Sequence, residues 1–201
     1  MNNLNEYLKY YFLEEYLFKE VSINFKRNGY LSAEEFFAIV IWKRNASKTR
    51  IKDSLIKNAV VIRNITTKIH AEDNPVKKLE ILTSIEQIGV SFASAILTVC
   101  YPNDFTIADY RADNAIEKLG RKKENWRNII EGINENISIE NIGHRKYFRY
   151  LEICKSISEE ENMLLRDFDR YLWAYDFYEG KNGLRELASK YDNRTMTKEN
   201  G

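Results

Sequence analysis

The chain has 201 residues, with 31 Lys and Arg against 30 Asp and Glu, 44% hydrophobic residues and 13% aromatics. That composition excludes a disordered tail, and two Pro and eight Gly are too few for a turn-rich β-sandwich or barrel. Two Cys (Cys100, Cys154) and two His (His70, His144) stand far apart, so neither a zinc site, an iron–sulfur cluster nor a disulfide framework is expected.

The first sixteen residues, MNNLNEYLKYYFLEEY, are acidic and amphipathic, unlike a signal peptide, and no apolar run approaches the length of a membrane span. A cytoplasmic protein is expected, without a membrane contact or an obligate protein partner. In chain order the pattern predicts helix after helix. Leu4, Tyr7, Leu8, Tyr11 and Phe12 open a helix that continues through Tyr16, Leu17 and Val21 and stops at Asn28-Gly29. Ser32 and Glu35 form a capping box ahead of the apolar run Phe36–Trp42, whose helix ends near Arg44. A third helix is expected over residues 48–70, with Ile51, Leu55, Ile62, Ile65 and Ile69 on one side. Asn74-Pro75 starts the next helix, which carries Val76, Leu79, Leu82 and Ile85.

A turn at residues 86–89 leads to a small-residue helix ended by Pro102. Asp109 stands at the mouth of a helix that ends at Leu119-Gly120. Further helices are expected over 123–134 and 141–157. Ser158 and Glu161 form a second capping box that opens a long helix, and a short helix over 184–191 closes the chain. The run from Asp167 to Trp173 reads as packing plus a salt-bridge network. Cys100 and Cys154 read as small core residues, and His70 and His144 as helix-end or surface residues. The expected fold is all-α: a compact bundle of about nine helices over residues 1–201, as one domain with two lobes.

The spacing Leu82-x-x-Ile85-x-Gln87-Ile88-Gly89-x-x-x-Ala93 is an apolar helix end, a tight turn and a second helix with small residues on its inward side. Gly89 is expected to serve a close backbone approach or a positive φ. The N–H groups that follow, at Gly89, Val90 and Ser91, can hold a phosphate with the help of the helix dipole. This pattern resembles the helix-hairpin-helix DNA glycosylase superfamily, whose hairpin reads Leu-Pro-Gly-Val-Gly-x-x-x-Ala and whose catalytic aspartate follows the second Gly by about twenty residues. The hairpin falls at 76–100, and Asp109 lies twenty residues after Gly89.

The resemblance covers roughly residues 33–120 and implies an all-helical, DNA-repair hydrolase. Its reaction is N-glycosidic bond hydrolysis at a damaged or modified base, with Asp109 as the carboxylate. Asp is also one of the best N-caps, so Asp109 carries a structural reading beside the catalytic one. The family's Pro falls on Glu86, its first Gly on Gln87 and its Schiff-base lysine on Ser91. A monofunctional, water-using reaction is therefore implied, and no organic cofactor. The family's hairpin also holds a monovalent cation, Na or K, through backbone carbonyls, here those of Thr83, Ile85 and Ile88.

Between Lys43 and Lys68 eight basic residues are opposed by Asp53 alone, a balance of +7, while residues 159–169 carry −4. Lys43, Arg44, Lys48 and Arg50 lie where the resembling family brings a loop to duplex DNA, the expected partner. A solvated helix face is the other reading of that stretch. Tyr110, Arg111 and Trp42 are candidates for contact with an extruded base, although Trp42 also reads as core. The alternative function is a non-catalytic helix-hairpin-helix module that binds nucleic acid.

Overall fold

In the computed structural model, residues 13–133, 139–179 and Ser189 are described. Among them every regular element is helical and there is no strand. No helix among them is long and apolar enough to cross a membrane. The chain divides into two compact units, Met1–Ala108 with Glu135–Leu151 and Asp109–Asn134 with Glu152–Gly201.

The first unit opens with α1 (Leu13–Tyr16), a π-helical turn (Leu17–Val21) and α2 (Ser22–Asn28). Gly29 ends this run with φ of 77°, the left-handed C-cap that glycine takes without a Cβ penalty. The Ser32–Glu35 capping box forms as expected and opens α3 (Ala33–Arg44), with Glu35 N donating to Ser32 Oγ and Ser32 N to Glu35 Oε2. A 3-10 turn (Asn45–Ser47) leads to α4 (Lys48–Lys57).

The single helix expected over residues 48–70 is two helices, α4 and α5 (Ile62–Ala71). Ala59 takes φ of 50°, Val60 N bonds back to Leu55 O at 2.9 Å and Ala59 N to Ile56 O at 3.1 Å. That is a Schellman stop without glycine. Leu55 and Ile62 are seven residues apart, so the apolar register runs across the break and hides it.

Asn74 caps α6 (Pro75–Thr83) with its side-chain oxygen, and Pro75 occupies the first turn. Lys78 of α6 is buried, and its ammonium donates to Ile69 O at 2.8 Å, to Glu72 O and to the Tyr101 hydroxyl at 3.1 Å. It thereby satisfies carbonyls left over at the C-terminus of α5. At the centre of the unit is α7 (Val90–Cys100), buried from Ala93 to Cys100 and packed on α2, α3 and α6. Ala93, Ser94 and Ala95 keep its neighbours close, and Cys100 sits in this core as expected.

The second unit holds α8 (Tyr110–Gly120), α9 (Glu124–Gly132) and α11 (Leu165–Glu179). Helix α10 (Ile142–Glu160) contributes to the first unit through Leu151 and to the second from Glu152. Phe168 and Leu172 of α11 are fully buried, and Trp126 packs edge-on against Phe168 at 5.5 Å. The Trp126 indole donates to Glu161 Oε1 at 2.5 Å, and Lys123 pairs with the same oxygen at 2.8 Å. These two donors, Lys123 first, hold the Glu161 carboxyl below the usual range.

The second expected capping box does not form. Ser158 is buried inside α10 and donates to Lys155 O at 2.8 Å, and the helix runs on to Glu160. Asn162 then takes φ of 51° and Met163 N bonds back to Ser158 O at 2.8 Å, the same Schellman stop as at Ala59. The closing helix expected over 184–191 lies outside the described residues apart from Ser189, as does the helix start at Leu4–Phe12.

Candidate nucleic-acid interface

The hairpin runs from the last turn of α6 to the first turn of α7. Ile85 N bonds back to Leu82 O at 3.1 Å, and Ile88 N to Ile85 O at 3.0 Å. Between them Gln87 takes φ of 74°, the region that favours glycine. This is the position where the resembling family has its first Gly.

Gly89 corrects its own expectation. It is the N-cap of α7 with φ of −84° and ψ of 179°, ordinary extended backbone, and an added Cβ would meet nothing within 4 Å. Neither a positive φ nor packing among the described residues requires a glycine there. Its surroundings are open, and no side chain caps the helix. The amides of Val90 and Ser91 have no acceptor among the described residues. The same is true in reverse of the carbonyls of Thr83 and Ile88, which accept no hydrogen bond there, whereas Ile85 O accepts from Ile88 N.

Glu86, where the family has Pro, ties the hairpin to the basic helix α4. Its carbonyl accepts from Ser54 Oγ at 2.8 Å, and its carboxylate from Asn58 Nδ2 at 3.0 Å and Lys57 Nζ at 3.3 Å. The Asn58 amide, and then Lys57, hold the Glu86 carboxyl below its ordinary value. Sequence reasoning had Glu86 only as a departure, since no motif marks a contact between residues about thirty apart in the chain.

The basic stretch is only partly committed to the protein. Arg44, Lys48 and Arg50 are exposed, Lys48 donating to Asn45 Oδ1 at 2.7 Å, while Lys43 is half-buried. Lys52 pairs with Asp53 and the Arg63 guanidinium lies 4.0 Å over the Tyr30 ring. Hydrogen bonds tie the end of α4, at Ser54, Lys57 and Asn58, to the hairpin. Trp42 is half-buried against the edge of Phe18, a packing position.

Ser91, in place of the family's lysine, uses its hydroxyl to donate to Ala108 O at 3.1 Å. Ser94 accepts from Ala108 N at 2.9 Å. The residue that precedes Asp109 is therefore held on both sides by α7. His144 is a helix-end residue, in the first turn of α10, but it is not on the surface: it is buried, its Nε2 lies 3.0 Å from Thr83 Oγ1, and its Nδ1 has no partner among the described residues. It lines an open depression of about 540 Å³ with Glu80, Thr83, Ser84, Glu140 and Asn141. His70 is exposed at the C-terminal end of α5, as expected.

In the second unit, Asp109 is the N-cap of α8, and its Oδ1 accepts from Arg111 N at 3.0 Å. Tyr110 is 66% exposed. The Arg111 guanidinium lies 5.2 Å from the Tyr110 ring, 5.7 Å from Trp173 and 5.4 Å from Phe177. Trp173 and Phe177 are stacked, 5.1 Å apart and 9° from parallel. Asp176 is buried between Lys118 at 2.6 Å and Arg111 at 3.9 Å.

The run 167–173 is thus packing in part: Phe168, Asp169 and Leu172 are buried, and Arg170 pairs with Asp167. Trp173 departs from that reading, since it is 44% exposed. Its i, i+4 spacing to Phe177 was visible in the sequence, but the side of the helix they occupy was not.

No family model, curated protein or solved structure matches the chain.

Proposed function

We propose that the chain is a helix-hairpin-helix protein that binds duplex DNA through the turn at Ile85–Ser91, and that it is of the glycosylase-like kind. The observation that carries the reading is Gly89. No contact among the described residues demands a glycine there, whereas an external group approaching the Val90 and Ser91 amides would. The left-handed Gln87, at the place of a family glycine, supports the same hairpin geometry. The basic helix α4, tied to the turn through Glu86, supplies cations for phosphates along the strand. Such contacts position DNA without reading its bases.

On this reading Asp109 is the carboxylate that stabilises the developing sugar cation and orients water, once the base has left the stack. With Ser91 spent on Ala108 O, hydrolysis fits this chain better than a Schiff-base route. The carbonyls of Thr83 and Ile88, which accept nothing among the described residues, fit a Na or K ion at the turn, with Ile85 O as the third ligand.

A second reading keeps the hairpin and drops the chemistry. It is favoured by the use of Asp109 Oδ1 as the helix cap. Titration of the purified chain with a short duplex over a range of salt, followed by a base-release assay on a panel of lesions, separates the two. Binding that falls steeply with salt, together with release of a base, is the expected result. Binding without release leaves the module, and no binding at low salt removes both.

A further inference from the structure

We propose that Trp173, Phe177, Tyr110 and Arg111 form a platform on the second unit that takes the base of an unpaired nucleotide. Two independent observations carry it. The first is exposure. Two large aromatic rings, Tyr110 at 66% and Trp173 at 44%, stand open beside the same guanidinium, with Trp173 held flat by its stack on Phe177. Single exposed rings are ordinary, but neighbouring ones that form a patch mark an interaction site.

The second is Arg111 itself. Its guanidinium makes no hydrogen bond among the described residues. Lys118 takes Asp176 at 2.6 Å, and Arg111 approaches the other oxygen of that carboxylate only to 3.9 Å, beyond hydrogen-bond length. The charge is anchored, and among the described residues its donors are unspent. A ligand that answers both features is planar and carries acceptors on its edge: the ring stacks on Trp173 while its carbonyl or ring nitrogen meets the Arg111 fork. A methylated amine does not fit, because a cation already stands among the rings. An apolar helix does not fit either, because it would bury the guanidinium donors without acceptors.

A paired base keeps its faces stacked and its edge occupied, so the platform selects unpaired nucleotides. The proposal rests on the nucleic-acid reading above and deepens it. It adds a contact distinct from the hairpin's hold on backbone phosphates, and it joins Tyr110 and Arg111, already candidates for base contact, to Trp173 and Phe177 of a helix whose sequence reads as packing.

The test is intrinsic tryptophan fluorescence during titration of the full chain with a short oligothymidylate and with a duplex of equal length. Stacking on Trp173 predicts quenching by the single strand. Trp173→Leu is expected to lose that quenching and to weaken single-strand binding by about tenfold, with duplex affinity unchanged. Trp173→Tyr, which keeps a stacking face, is expected to restore most of the affinity, and far-UV circular dichroism shows whether each variant is folded. If folded Trp173→Leu binds the oligothymidylate like the wild type while duplex binding persists, the platform is wrong and the hairpin reading stands. If neither strand form binds at low salt, the hairpin reading falls and the platform with it.

Discussion

The hydroxyl of Ser94 accepts a hydrogen bond from the amide of Ala108 at 2.9 Å, and Ser94 is completely buried. With Ser91 Oγ on the carbonyl of the same residue, α7 fixes both backbone polar groups of Ala108, the residue that leads into Asp109. Ser94→Ala leaves the Ala108 N–H without its acceptor. Urea denaturation should show a loss of about 1–3 kcal/mol, the cost of an unsatisfied buried donor. Ser91 is exposed, so water can replace its hydroxyl, and Ser91→Ala should cost less.

Asp109 separates the two functional readings. Asn caps a helix as well as Asp does, so Asp109→Asn preserves the bond to Arg111 N while removing the charge. The expected outcome is unchanged duplex affinity, stability within about 1 kcal/mol of wild type, and complete loss of base release. Base release that survives in Asp109→Asn would remove this carboxylate from the chemistry.

Gln87 carries backbone strain that a glycine would not. A left-handed φ of 74° is unfavourable for a residue with a Cβ, so Gln87→Gly should stabilise the chain by about 0.5–1 kcal/mol in thermal or urea denaturation. Destabilisation would mean that the Gln87 side chain repays the strain through contacts of its own.

Side-chain caps and left-handed stops separate what was legible from what was not. Helix starts were read correctly where a side chain makes the cap: Ser32, Asn74 and Asp109 all accept the bonds their types promise. Gly29 was legible as a stop for a different reason, since glycine takes the left-handed C-cap without a Cβ penalty. The stops at Ala59 and Asn162 were not, because a Schellman turn on a non-glycine residue is held by backbone bonds and the packing around it. Ser158 shows the converse error. It has the residue types of a capping box, yet burial in α10 turns its hydroxyl onto Lys155 O instead. The hairpin was legible from spacing, whereas Glu86 and the Arg111 cluster depend on tertiary contacts that no local pattern encodes.

Glu86 makes the link between hairpin and α4 sensitive to acid. Its carboxyl is held below the ordinary value by Asn58 and Lys57, so the folded state favours the charged form. The stabilisation is complete above the ordinary Glu value, about 4.3, and is lost as pH falls through the lower folded value. Glu86→Ala should therefore be less stable than wild type at neutral pH, and the gap should close below about pH 4. A gap that is constant across that range would show that the carboxylate's charge does not matter to the link.

On the proposed function, Gly89 is a glycine for the sake of what approaches it from outside. Gly89→Ala tests that most directly, by duplex DNA affinity measured at fixed low salt beside thermal stability. The added methyl points into open space at an ordinary φ of −84°, so stability should change by less than about 1 kcal/mol. Duplex affinity should nevertheless fall by about tenfold or more, because the methyl stands between the strand and the Val90 and Ser91 amides. A folded Gly89→Ala protein that binds duplex DNA as tightly as wild type would contradict the account.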